Sequence, residues 1–348
     1  MDTADFDYEL PPAAIAQEPL RERDASRLLV LDRATGRRWH RTFRDLPDLL
    51  DPGDLLVLNR SRVWPARLRG RRPGGGEAEI LLVRSHGAGE WDALVRPGRR
   101  LKAGSRVVMS ADFDVTVGEA VGPPEGPGAP LRRVHLRSRD GDPDAAIERL
   151  GRVPLPPYIN RPDTPSDRER YQTIYASEPG SVAAPTAGLH FSQALLDRLD
   201  RKGVKRAHVV LHVGPGTFQP VKVERVEDHK VAAEWFVVPE ETATAIRQAR
   251  RDGLRVVAVG TTTTRALETA AIPERIVSAR TGETSLVIVP GYGFRVVDAL
   301  ISNFHLPRSS LLLLAAAFAG RQELLAAYAE AITHGYRFYS YGDAMLIL

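Results

Sequence analysis

Three stretches of the chain place a histidine among glycine, proline and hydroxyl residues: 183–191 (AAPTAGLHF), 211–220 (LHVGPGTFQP) and 302–310 (SNFHLPRSS). An imidazole titrates close to neutral pH and can serve as a general acid or base, so His190, His212 and His305 are acid/base candidates. The plain alternative is that each braces a turn. A fourth stretch, 227–234 (EDHKVAAE), sets His229 between carboxylates that include Glu234. That surround can tune a general base, or it can be a surface salt-bridge cluster. A fifth, 256–268 (VVAVGTTTTRALE), is an apolar run, a glycine and a hydroxyl-rich helix start. Thr261, Thr262, Thr263 and Thr264, with Arg265 as charge partner, can cradle a phosphate or carboxylate. They can equally be an ordinary threonine cap. The segment is neither a Walker loop nor the GxGxxG of dinucleotide sites. The chain closes on 336–345 (YRFYSYGDAM), whose aromatics can stack on a purine or form a core edge; Asp343 lies among them. His208 and His212 face the same way on a strand, but no metal-ligand spacing accompanies them, so no metal is expected.

These segments need elements to hold them. Short apolar runs at 28–31 and 55–58 read as buried strands, with a short helix at 46–50 between them. Six short strands follow, at 66–70, 77–83, 91–95, 106–109, 113–118 and 132–137. Gly/Pro-rich separators at 72–76, 96–98 and 122–130 divide them, the pattern of a small barrel or sandwich. A helix at 143–150 leads out. Then helix and strand alternate. A helix capped by Ser192 ends at Gly203, a strand covers 209–213, and a helix opens at Pro239 and closes at Gly253. A buried strand spans 254–259, a helix 261–270 and a strand 286–289, and helices cover 309–318 and 321–333. The expected fold is an α/β (α+β) main domain built from residues 1–62 and 154–348, with an inserted all-β, barrel-like domain at 63–153.

Composition narrows the chemistry. The 348 residues contain no cysteine, which removes disulfides, thiolate-held metal clusters and cysteine nucleophiles. The acidic start has no basic-then-apolar leader, and the longest apolar stretch, 311–319, is too short to span a bilayer, so a cytoplasmic protein is expected. The net charge is +4, yet between Arg60 and Arg106 twelve basic residues face four acidic ones. A phosphate-rich partner would explain that bias, and so would a solvated basic face.

Read together, the motifs resemble a known family. PLPPYI (154–159), YQTIYA (171–176), AAPTAGLHF, LHVGPGTFQPV, VGTTTTRALE, SNFHLP and YRFYSYGDAM occur in this order, after FDYELP (6–11), SRLLVLD (26–32) and GDLLVLNRSRVWPARL (53–68). The set is similar to the S-adenosylmethionine:tRNA ribosyltransferase-isomerases of queuosine biosynthesis, from about residue 5 to the end. The resemblance implies transfer and isomerisation of the ribosyl part of S-adenosylmethionine onto 7-aminomethyl-7-deazaguanine at the tRNA wobble position. Epoxyqueuosine-tRNA, adenine and methionine would result. S-adenosylmethionine is then a co-substrate, no metal is required, and a monomer is expected. His190, His212, His229 and His305 stand as acid/base candidates, with Glu234 and Asp343 as partners. Gly214, Gly216, Thr217 and the Thr261–Arg265 stretch are candidates for holding the methionine carboxylate or the ribose. Arg67, Arg69 and Arg99 are candidates for tRNA phosphates. The sequence departs from the family where EDHKVAAE stands for EDHxMHSE, so that Ala232 replaces a second histidine. Arg60 stands where Asn or Asp is usual, and the 272–284 region is short. Two alternatives stay open: an S-adenosylmethionine-dependent tRNA methyltransferase, and a non-catalytic tRNA-binding protein.

Overall fold

The structure is a computed structural model that describes residues 1–121, 130–218, 220–273 and 276–348, the side chains of Thr217 and Phe218 excepted. Apolar runs with both faces covered form interior strands. Leu55–Asn59, Val256–Val259 and Ala299–Asn303 are buried along their whole length and run parallel to one another and to Lys205–Leu211. They are the centre of a nine-stranded sheet. Its order is Arg280–Thr284, Glu234–Val238, Lys205–Leu211, Leu55–Asn59, Val256–Val259, Ala299–Asn303, Ala344–Ile347, Arg27–Leu31 and Arg38–Thr42.

Side chains alternate across the sheet and fill two cores. Leu55 and Val57 meet the helices Glu240–Arg251, Thr261–Ala270, Ser310–Ala319 and Arg321–Thr333 on one face. Leu56 and Leu58 meet the helix Gln193–Lys202 and the 3-10 turn Phe43–Asp48 on the other. Gln193–Lys202 begins where the Ser192 hydroxyl accepts from the Leu195 amide at 3.1 Å, and ends at Gly203 in the left-handed region (φ 89°), as its sequence requires. No single helix among the described residues is long and apolar enough to cross a membrane.

Between those sheet strands in sequence, six antiparallel strands close into a barrel in the order Leu131–Ser138, Glu90–Arg96, Glu77–Gly87, Arg67–Arg71, Arg106–Val108 and Phe113–Val121. Closure leaves no edge strand open. Ile80, Leu82, Ala93, Val95, Val115 and Val134 fill its interior, and the helix Pro143–Leu150 packs Ala146 and Ile147 against it. All six strands match those expected from the sequence; residues 122–129 of the last separator lie outside the described residues. The molecule is therefore a mixed α/β layer joined to a closed all-β barrel.

Three expectations need correction. The helix at 46–50 is instead the 3-10 turn Phe43–Asp48, with Pro47 inside it to block α-helical bonding. The strand at 209–213 starts and ends earlier, at Lys205–Leu211. Residues 286–289 are not a strand. That place in the sheet belongs to Arg280–Thr284, a polar outer strand paired with Glu234–Val238.

Candidate active site

The four parallel central strands end on one edge of the sheet. Ligands of open α/β sheets bind at that edge, where loops leave the carboxyl ends of strands. The loops after Lys205–Leu211, Val256–Val259 and Ala299–Asn303 are the three polar segments 211–220, 260–264 and 302–310. They surround a cleft of about 640 Å³, its open mouth included. Among the described residues, two of the three non-glycine residues with positive φ, Arg308 (54°) and Tyr339 (72°), sit in loops of this region. Such backbone strain is concentrated at functional sites.

Asn303, at the end of its strand, is central to the wall. Its Nδ2 donates to the Tyr339 carbonyl at 3.0 Å and to His190 Nε2 at 3.1 Å. Its Oδ1 is buried and has no partner. His190 Nε2 is thus an acceptor, and its Nδ1 carries the proton donated to Ser26 Oγ at 2.7 Å. The ring lies against Phe43, with centroids 5.0 Å apart. Burial, and after it the charges of Arg337 and Arg23, push His190 down to about 3. His305 lines the cleft itself, with Nε2 2.7 Å from Ser302 Oγ. Burial holds it at about 3 as well. Both imidazoles are neutral hydrogen-bonding groups at neutral pH.

Beside them the cleft lining is aromatic. Tyr158 and Tyr339 stack with centroids 4.3 Å apart, and the Tyr158 hydroxyl bonds Ser340 Oγ at 2.5 Å. Burial drives both phenols above their ordinary value, so both stay protonated. The Tyr339 hydroxyl is buried without a partner. Among the residues singled out in the sequence, the cleft brings together His305, Thr261 and Thr262. Asn303, Ser302, Tyr158, Tyr339 and Ser340 were not singled out, although each lies within a quoted motif. Asparagine, serine and tyrosine carry no catalytic signature in a sequence; only their convergence does.

Several expected site residues are elsewhere. Thr263 is fully buried and its hydroxyl donates back to the Val259 carbonyl at 2.7 Å, fastening the helix start. Arg265 points away from the cleft, into a buried ion pair with Glu234 at 2.5 Å and to the Leu286 carbonyl at 3.0 Å. Glu234 Oε1 accepts from the Gly214 amide at 2.8 Å, so this carboxylate holds the 211–220 loop to the helix Thr261–Ala270. Asp343 is a buried brace: it accepts from the amides of Arg27 (3.0 Å) and Arg337 (2.8 Å). His212 stands apart, stacked on the exposed Trp235 with centroids 5.0 Å apart, and burial lowers it to about 4. The Ser61 hydroxyl already donates to the Leu211 carbonyl, so His212 Nδ1 donates to Ser61 Oγ at 3.0 Å and Nε2 keeps its lone pair. His229 is half-buried in the loop before Glu234–Val238, and burial lowers it too. Gly216 has open space where a side chain would be, and the Thr217 side chain lies outside the described residues. No group of three potential metal-ligating side chains is present among the described residues.

Among the described residues, half of the twelve cations in the basic block are paired by the fold. Arg60, Arg62, Arg67, Arg69, Arg84 and Arg106 each lie within 4.0 Å of a carboxylate, often one from another segment: Glu178, Glu148, Glu79, Glu283 or Asp114. Arg67 also donates to the Leu155 carbonyl at 3.1 Å. Arg99, Arg100 and Lys102 are exposed in the turn after Glu90–Arg96, with no such carboxylate among the described residues.

With this geometry in place, the likeness to known proteins can be set beside it. The family model described as "Queuosine biosynthesis protein" matches residues 3–347. A protein of Heliobacterium modesticaldum called S-adenosylmethionine:tRNA ribosyltransferase-isomerase is 51% identical over 361 aligned residues, covering 100% of both chains. One of that name from Thermotoga maritima is 52% identical, again over 100% of both. The crystal structure of S-adenosylmethionine tRNA ribosyltransferase from Thermotoga maritima aligns with a TM-score of 0.56 and 42% identity, covering 99% of this chain and 100% of that one. The chain belongs to the queuosine biosynthesis protein family.

Proposed function

We propose that this chain is an S-adenosylmethionine:tRNA ribosyltransferase-isomerase. It transfers and isomerises the ribosyl part of S-adenosylmethionine onto 7-aminomethyl-7-deazaguanine at the tRNA wobble position, giving epoxyqueuosine-tRNA, adenine and methionine. The observation that carries this reading is likeness along the entire chain, at 51% and 52% identity, to two proteins of that name.

The sulfonium makes the adjacent ribose C5′ hydrogens acidic. A base removes one, the ribose ring opens and adenine leaves. The tRNA amine then attacks, and ring closure with epoxide formation expels methionine. The sulfonium supplies the activation, so the sequence of steps calls for neither a thiol nor a metal. It calls for a proton acceptor, a surface for the purine and exclusion of water. In this reading His305 is the acceptor, acting directly or through Ser302, because its imidazole lines the cleft with Nε2 against Ser302 Oγ. Tyr158 and Tyr339 offer the flat surface, and Asn303 Oδ1 accepts from an amino group of the ligand. Leaving that acceptor unmatched in a buried site is costly, which favours a ligand that brings a donor.

The test is one incubation with S-adenosylmethionine and tRNA bearing the aminomethyl-deazaguanine base. Adenine release with epoxyqueuosine in the nucleoside digest is the expected result. Methyl label in the tRNA would instead mark a methyltransferase. Intact S-adenosylmethionine under conditions of demonstrated tRNA binding would mark a silent binder.

A further inference from the structure

Behind Asn303 and His190 lies a second pocket, of about 290 Å³ with its mouth included. Arg23, Arg170 and Arg337 line it together with His190, Ser26 and Ser340. Main-chain carbonyls aim the three guanidiniums. Arg23 donates to the carbonyls of Leu189 (3.1 Å) and Glu169 (2.9 Å). Arg170 donates to those of Arg21 (2.9 Å) and Leu20 (2.7 Å), and Arg337 to that of Glu18 (3.3 Å). Carbonyls satisfy N–H groups but cancel no charge. Arg170 Nε is buried with no partner at all. Of the carboxylates nearby, Glu22 is engaged with Arg44 at 2.8 Å, Asp343 is shared between Arg27 at 3.5 Å and Arg337 at 4.0 Å, and Glu169 offsets part of the charge of Arg23. Burial lowers both Arg23 and Arg337 below the ordinary arginine value; the Arg170 guanidinium adds to this at Arg23, and at Arg337 the Asp343 carboxylate opposes it in part.

Three partly buried cations beside a neutral histidine repel one another, and an anion in the pocket would relieve that repulsion. Guanidiniums present paired donors that match the oxygens of a carboxylate or a phosphate. The pocket is also connected to the cleft. Ser340 lines both, and the hydrogen bond from Asn303 Nδ2 to His190 Nε2 spans the partition. We propose that this pocket is an oxyanion subsite, in which Arg23, Arg170 and Arg337 hold an anionic group of a substrate whose reacting part lies in the cleft. Taken with the activity proposed above, on which this assignment of the substrate rests, the oxyanion is either the carboxylate of S-adenosylmethionine or a phosphodiester next to the modified nucleotide.

The experiment has a binding arm and a kinetic arm. In the first, inorganic phosphate and methionine are titrated into the full-length protein while NMR follows the His190 ring nitrogens. A saturable shift that Arg337→Gln abolishes is expected. In the second, KM for each substrate is measured in Arg23→Gln and Arg337→Gln. A rise of about 10-fold in KM for S-adenosylmethionine alone, absent with its decarboxylated analogue, assigns the carboxylate. The same rise for tRNA alone assigns the phosphodiester. His190 signals unmoved by either anion, with both KM values within about 2-fold of the parent in two folded variants, would overturn the proposal. The titration needs no turnover, so a chain that failed to release adenine yet showed the shift would lose the activity and keep the subsite.

Discussion

Around the cleft, Asn303, His190 and His305 are 2%, 4% and 6% exposed, and the bonds of each run to neutral hydroxyl, carbonyl, amide or imidazole groups. On the barrel, the side chains of Arg69, Arg84 and Arg106 are 51%, 48% and 57% exposed, and each faces a carboxylate. The first arrangement depends on geometry. A buried donor or acceptor that loses its partner regains no water, so each bond constrains the next. The second depends on net charge, and exposed ion pairs exchange partners at little cost. A substitution of similar size should therefore be severe along the sheet edge and mild on the barrel.

The sharpest trial of that contrast is the buried pair of Glu234 and Arg265. Glu234→Ala leaves a buried guanidinium unpaired and frees the Gly214 amide; a loss of about 3–5 kcal/mol in urea unfolding is expected. A variant as stable as the parent but without turnover would return Glu234 to the catalytic group. Next is Asn303→Ala, which strips the acceptor from the cleft and the donor from His190. Adenine release should fall roughly 100-fold while stability drops by about 1–3 kcal/mol. Unchanged turnover would show that the wall tolerates a hole and break the comparison.

The third trial is pH. His190 and His305 lie at about 3 in the folded chain and near 6.5 when unfolded. Between those values the unfolded chain binds more protons, so stability is full above about pH 6.5 and falls as pH decreases, by up to roughly 1.4 kcal/mol per pH unit per histidine. His305→Gln should show a shallower decline in denaturation midpoints than the parent. The kcat/KM profile should carry no limb from either imidazole between about pH 5 and 8. The smallest effect belongs to the barrel. Arg99→Ala should raise KM for tRNA a few-fold and lower the salt dependence of binding by about one ion, with stability unchanged. Arg67→Ala, whose charge already meets Glu79, should leave that salt dependence untouched.

Much of the architecture could be read without coordinates, because its signals are local. Ser192 and Gly203 bracket a helix by cap chemistry alone. Most of the barrel turns carry Gly or Pro, and the runs at 55–59 and 256–259 are apolar on both faces, as interior strands must be. The strand misplaced at 286–289 shows where local signals stop. LVIV looks like a strand, yet Leu286, Ile288 and Val289 pack on the core from irregular chain, and the neighbouring RTGET pairs instead. An outer strand half open to solvent needs no apolar composition, so its sequence does not announce it.

The site divides the same way. By itself, the amino-acid sequence determined the family, the polar loops and their order, because long motifs in fixed succession are specific wherever they fold. It also determined that no thiol takes part, since there is none. Tertiary structure alone decided which polar side chains share a wall. It turned Thr263, Arg265, Glu234 and Asp343 inward as braces, put Asn303 and two tyrosines beside His305, and paired Arg60, Arg62 and Arg84 with acids from distant segments. Most of those outcomes depend on which side chains approach within hydrogen-bonding reach across tens to hundreds of residues, and the order of residues along the chain does not carry that distance.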